Sequence, residues 1–77
     1  MPRMTPLDWK ILERVFRKAG FVFERQGRSH RAYTKKGLAK PIVIPTKSEI
    51  LPEIIRSNMR TAGISDEEYF KLLEECK

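Results

Sequence analysis

The middle of the chain carries two tight-turn signals, Gln26–Arg28 and Lys36-Gly37, between short segments rich in aromatic and β-branched residues. Segments of that composition favour β-strands, and we predict three of them, over residues 21–25, 29–35 and 42–44. Turns this short cannot hold the long crossover that parallel strands require. The three strands are therefore predicted to form an antiparallel meander, with Phe21 and Phe23 on the face that forms the core.

Apolar residues at helical spacing flank this sheet on both sides. We predict a first helix over residues 6–19 with Thr5 as its N-cap. A second helix is expected from Pro52 to a stop at Gly63, and Ser65 is the predicted cap of a third. The resulting α+β order is α-β-β-β-α plus a short C-terminal helix, with the helices on one face of the sheet. This is the arrangement of double-stranded-RNA-binding domains.

The 77 residues suffice for one domain, which we assign to residues 1–77 with an acidic C-terminal helix at 65–77. The one cysteine, Cys76, allows no intramolecular disulfide. We expect a protein of the reducing cytoplasm, without a signal peptide, a membrane span or contact with a membrane.

Charge is unevenly distributed along the chain. Residues 1–64 hold fourteen basic and five acidic residues, a net charge of +9, whereas residues 65–77 hold two and five, a net of −3. An excess of positive charge on the body of the protein favours a polyanion as partner, and nucleic acid is the obvious one. The alternative is that these charges serve solubility alone.

Several chemistries are excluded by residue content. One histidine, one cysteine and no carboxylate cluster outside the C-terminal segment leave no metal site, and no phosphate-binding loop motif is present. We therefore expect no metal and no cofactor. Because Ser29 and His30 are adjacent, we expect them to point to opposite faces of a strand and to form no serine–histidine pair.

The histidine lies in a strongly basic hairpin. Arg25, Arg28 and Arg31 flank His30, and Tyr33 follows three residues later. RNA carries its own nucleophile, the 2′-hydroxyl, so that one base and a set of cations suffice to cleave it without metal. The plainer interpretation is a surface histidine in an ordinary basic hairpin.

Several segments of the chain, taken in order, resemble the HicA (YcfA-like) mRNA interferase toxins of prokaryotic toxin–antitoxin pairs. These segments are Ala19–Phe21, Arg25-Gln26, Ser29-His30 with Tyr33, Ile42–Pro45, Ile55–Ser57 and Arg60–Ser65. The resemblance covers nearly the whole chain and implies a fold like that of double-stranded-RNA-binding domains. It also implies a metal-independent endoribonuclease that a HicB-like antitoxin neutralises.

In that family the histidine of a Gly-Ser-His motif is catalytic, and it corresponds to His30. The residues that we expect to contact mRNA lie around it or follow the third strand: Arg25, Arg28, Ser29, Arg31, Tyr33 and Lys47. The acid that protonates the leaving group stays open among His30 itself, Lys47, Tyr33 and water.

The chain departs from the family pattern at three places. Arg28 replaces the glycine of the motif, Lys47 replaces a second histidine, and Glu53-Ile54 replaces a Gly-Thr pair. These departures keep open an RNA-binding module of the same fold that does not cleave. Residues 52–76 also have the helix–turn–helix order of a DNA-binding regulator. The second of these helices, which would contact the DNA, begins with three acidic residues.

The charge distribution generates a first prediction. RNA affinity should fall steeply as salt is raised, because cations that neutralise phosphates release counterions on binding. Arg28→Ala and Arg31→Ala should each lower the log–log salt slope by roughly 0.7 if each arginine holds one phosphate of a single strand. Fluorescence anisotropy at several salt concentrations measures this slope, and an affinity independent of salt would contradict the prediction.

Overall fold

The predicted order of helices and strands is confirmed by a computed structural model, which describes residues 4–76. Its elements are α1 (Trp9–Lys18), β1 (Val22–Gln26), β2 (His30–Thr34), β3 (Ile42–Pro45), α2 (Pro52–Ala62) and α3 (Asp66–Glu75). The α+β architecture matches the expected double-stranded-RNA-binding-domain-like fold. None of the helices within residues 4–76 has the length and apolarity needed to cross a bilayer.

The sheet is an antiparallel meander in the order β1-β2-β3, so that β2 is its central strand. His30, the first residue of β2, pairs with Pro45 at the end of β3. The β1–β2 register shifts between Phe23 and Arg25, which leaves Glu24 in a bulge. The bulge returns Arg25 to the position opposite Ala32.

Alternation along the strands divides the sheet into two faces. Tyr33, Ile42 and Ile44 face the helices and are completely or almost completely buried. They pack in the core with the buried faces of all three helices, including Leu12, Val15, Phe16, Ile55, Met59 and Tyr69. The opposite side of the sheet, which we call the open face, carries the side chains that alternate with the helix-facing ones. These are Arg25, His30, Ala32 and Val43.

The two phenylalanines predicted as core have different environments. Phe21 is buried and packs edge-to-face on Phe16, with ring centres 5.5 Å apart. Phe23 is 41% exposed, so its assignment to the core was wrong. The physical reason is its place on β1, an edge strand, since α1 and α2 lie against β3 at the other edge of the sheet.

Helix α1 begins later than the sequence suggested. Asp8, not Thr5, is its N-cap, and the Asp8 carboxylate accepts a hydrogen bond from the Lys10 backbone N–H at 2.9 Å. Leu7 is held in an isolated antiparallel bridge with Ile50 by two backbone hydrogen bonds of 3.1 and 2.7 Å. Because that bridge requires extended backbone, the helix cannot start at residue 6.

The C-terminal helix is part of the core. Ser65 caps α3 as predicted, and its hydroxyl accepts from the Glu68 N–H at 3.1 Å. Tyr69 is 1% exposed among the core residues, and burial raises the pKa of its hydroxyl to about 12. The acidic residues of α3 are exposed, and Asp66 forms an ion pair of 3.5 Å with Arg56 of α2.

The assignment of Asp8 as the N-cap of α1 is testable with a matched pair of variants. Asp8→Ala should lower the free energy of unfolding by about 1 kcal/mol, because the Lys10 N–H loses its acceptor. Thr5→Ala, at an exposed residue outside the helix, should change it by no more than about 0.5 kcal/mol. Urea denaturation followed by circular dichroism measures both. A larger loss for Thr5→Ala than for Asp8→Ala would contradict the assignment.

Candidate active site

The backbone around His30 is fixed on both sides by hydrogen bonds. The Gly27 N–H donates to the His30 carbonyl at 2.8 Å and closes the β1–β2 turn. The Thr46 N–H, just after β3, donates to the Ser29 carbonyl at 3.0 Å. His30 is therefore an exposed side chain on a well-anchored backbone, at the point where the turn and the end of β3 meet.

The imidazole of His30 contacts the hydroxyl of its neighbour. Ser29 Oγ lies 3.3 Å from His30 Nδ1, so the expectation that the two side chains diverge was wrong. The reason is that Ser29 belongs to the turn and not to β2, and strand alternation does not apply to it. Within residues 4–76 no protein group is hydrogen-bonded to Nε2, which leaves that nitrogen available to a bound molecule.

A groove on the open face lies directly beside His30. Its volume is about 310 Å³, and it is lined by Arg25, Gln26, Gly27, His30, Ala32 and Val43. Ala32 and Val43 are paired across β2 and β3 and form an apolar floor. The groove thus combines one imidazole, one guanidinium and an apolar surface on the same side of the sheet.

Two of the three predicted arginines are available to a phosphate. Arg25 lines the groove, and Arg28 is exposed in the turn that precedes His30. Neither forms an ion pair within the part of the chain that the structure describes. Lys47 is exposed in the loop after β3, where its carbonyl accepts from the Trp9 N–H at 3.1 Å.

Arg31 has a structural environment instead. Its side chain is 18% exposed, points to the helix face and forms a 3.2 Å ion pair with Glu13 of α1. The guanidinium carbon lies 4.3 Å from the centre of the Phe23 ring and 5.3 Å from that of Trp9, both within range for cation–π attraction. The prediction that Arg31 joins Arg25 and Arg28 around the histidine was wrong, because alternation puts it on the other side of β2.

Tyr33 is completely buried beside this ion pair, which corrects its prediction as an RNA contact. Its hydroxyl donates to the Glu13 carboxylate and accepts from Arg31 Nε at 2.9 Å. Burial, reinforced by the hydrogen bond to the Glu13 carboxylate, raises the pKa of Tyr33 to about 12. Without access to solvent, Tyr33 is also removed from the candidates for the acid in cleavage.

Sequence reasoning missed two residues of this region. Glu13 lies on the polar side of α1 by helical spacing, and its partners are about twenty residues away in the chain, so no local pattern reveals them. Val43 lies within an apolar run, Ile42–Ile44, that is typical of a strand buried on both faces. In the structure Val43 is 42% exposed, and alternation along β3 was the available signal.

Comparison with known protein families identifies the chain. A family model described as the HicA toxin of bacterial toxin–antitoxin matches residues 9–64. This chain belongs to the HicA toxin family. The HicA match begins at the first residue of α1 and ends just after α2, so it contains the whole sheet and His30, while α3 lies outside it. No match was found among curated proteins.

Membership in the HicA family gives the protein a general role. It is a toxin of the toxin–antitoxin type, in a family that is generally of nuclease type, and an antitoxin partner is implied.

The different environments of Arg28 and Arg31 predict different consequences of their removal. Arg31→Ala should lower the free energy of unfolding by on the order of 2 kcal/mol, because Glu13 and the Tyr33 hydroxyl lose a partly buried partner. It should leave the salt slope of RNA affinity nearly unchanged, because Arg31 faces the helices and is paired with Glu13. This replaces the reduction that was expected for Arg31→Ala from the sequence alone. Arg28→Ala should do the reverse, with a slope reduced by roughly 0.7 and little change in stability. Urea denaturation and salt titrations of both variants measure the two effects. Equal behaviour of the variants would contradict a structural role for Arg31 and a phosphate contact for Arg28.

Proposed function

We propose that this HicA toxin is a metal-independent endoribonuclease that cleaves mRNA with His30 as its base, and that a HicB-like antitoxin neutralises it in the cytoplasm. The observation that carries the proposal is the environment of the imidazole. His30 is exposed on the open face, and Ser29 Oγ is within hydrogen-bond distance of its Nδ1. Its Nε2 has no hydrogen-bond partner within residues 4–76. A histidine held by one nitrogen and free at the other suits a general base.

The chemistry follows from the substrate's own nucleophile. Nε2 of His30 accepts the proton of the ribose 2′-hydroxyl while the 2′-oxygen attacks the adjacent phosphorus. The new P–O bond forms as the bond to the 5′-oxygen of the next nucleotide breaks. The products are a cyclic phosphate and a 5′-hydroxyl, and all atoms of the phosphodiester are retained.

The attack places additional negative charge on the phosphate oxygens. Arg25 lines the groove beside His30, Arg28 is exposed in the turn that precedes it, and neither has a carboxylate partner within residues 4–76. Cations beside the reacting phosphate stabilise the charge that develops on it in the transition state. The leaving 5′-oxygen takes its proton from the His30 imidazolium, from Lys47 or from water.

The DNA-binding alternative is disfavoured by the helices it would use. α2 and α3 bury Ile55, Met59 and Tyr69 in the core, and the first turn of α3 carries Asp66, Glu67 and Glu68. These carboxylates would repel phosphates where a recognition helix makes contacts.

The central test is the removal of the imidazole. His30→Ala should reduce the rate of RNA cleavage by about 10²–10⁴-fold, the contribution of a general base, and should abolish growth arrest. RNA affinity should be largely retained, because Arg25 and Arg28 remain. Wild-type cleavage should persist in EDTA, because no step of the proposed mechanism uses a metal ion. Purified proteins and a labelled RNA measure cleavage and affinity, and expression of both proteins in cells measures growth arrest.

Controls separate loss of chemistry from loss of structure. Circular dichroism should show the His30→Ala variant folded, since an exposed side chain contributes within about 0.5 kcal/mol to stability. A folded variant that cleaves at the wild-type rate would remove His30 from the mechanism. Wild type that binds RNA but never cleaves it would favour the non-cleaving RNA-binding module.

A further inference from the structure

We propose that the groove beside His30 is a nucleobase subsite, which receives one unpaired base of the RNA strand on the floor formed by Ala32 and Val43. The inference deepens the proposed function and rests on it, since it names the substrate as single-stranded RNA. The proposal rests on the apolar floor of the groove, because a site that bound only phosphate would not need an apolar surface.

The floor is apolar because of strand alternation. Ile42 and Ile44 face the core, so Val43 between them must face the open side, where it is 42% exposed. Ala32 lies opposite Val43 on the central strand, and its small side chain leaves room above the sheet. Val43 supplies most of the apolar surface that water reaches on this floor, because Ala32 is only 6% exposed. An aromatic base would cover that surface and remove it from water.

The walls of the groove carry the groups that a nucleotide needs. Arg25 lies opposite Ala32 across β1 and β2, and His30 lies two residues from Ala32 along β2, a separation of about 6–7 Å. A guanidinium either stacks on a base or pairs with its phosphate. The Gln26 side-chain oxygen accepts from Arg31 Nη1 at 3.2 Å. Arg25 and His30 are the two basic residues among those that line the groove.

The dimensions favour a single unpaired nucleotide. A volume of about 310 Å³ is at the lower end of the range for small-molecule pockets, so it holds one base and not a duplex. In a duplex the bases are stacked and only their edges reach the grooves. A base can lie on Ala32 and Val43 only if it is unstacked, as in loops and single strands. This occupant differs from the duplex that the fold class by itself would indicate.

The test uses binding without cleavage. The probe is a 2′-O-methyl RNA oligomer, which lacks the free 2′-hydroxyl, used as a single strand and annealed to its complement. Val43→Ala should weaken single-strand affinity by on the order of fivefold through lost contact with two methyl groups, and should leave duplex affinity unchanged. Val22→Ala is the matched control, because Val22 is 61% exposed on the same sheet but pairs with Thr34 at the far end of β2. Equal effects of the two variants would overturn the proposal.

A second measurement locates the base directly. In NMR spectra of the full chain, adenosine 3′-phosphate should shift the methyl signals of Ala32 and Val43 through the ring current of the base. Ribose 5-phosphate and inorganic phosphate should not. Methyl shifts that are equal for all three ligands, or absent for the nucleotide, would contradict the subsite. Neither measurement involves cleavage. A negative result here would therefore contradict the subsite without contradicting the role of His30, and the reverse also holds.

Discussion

The ion pair between Glu13 and Arg31 joins the first helix to the central strand, and the geometry of the site depends on it. Glu13 also accepts the Tyr33 hydroxyl, so one carboxylate holds two successive helix-facing residues of β2. Removal of charges from water is costly, and the hydrogen bonds and aromatic rings around Arg31 offset that cost. With Arg31 held on the helix side, alternation leaves His30 and Ala32 on the open side of the same strand.

Most of the fold could be predicted from local signals in the sequence. Periodicity and capping residues gave the order of helices and strands, because caps and turns depend on neighbours in the chain. The failures involve contacts between distant residues. The residues around Thr5 have the local pattern of a helix N-cap. The bridge between Leu7 and Ile50 instead holds the backbone at Leu7 extended, so the helix begins later. Phe23 has the alternation of a core residue, but nothing local says that β1 lies at the edge of the sheet.

The candidate site was predictable in its residue types and less so in its geometry. His30, Arg25 and Arg28 are found where a basic hairpin would put them. Three arginines close in sequence suggested one cluster, yet the alternation of β2 separates Arg31 from the others, and its partner Glu13 comes from another element. The interaction of Ser29 with His30 was missed because the strand begins one residue later than predicted.

The two edges of the sheet are protected in different ways, which bears on self-association. At β3 the Asn58 side-chain amide donates to the Val43 carbonyl at 3.1 Å, so a side chain of α2 occupies a backbone acceptor of that strand. At β1 the bulge at Glu24 interrupts the regular ladder, and Glu24 and Arg25 add charge to the strand. Both devices discourage edge-to-edge pairing of sheets. Many copies of a basic protein along one strand of the proposed RNA substrate would bring unprotected edges together, and the copies would aggregate there.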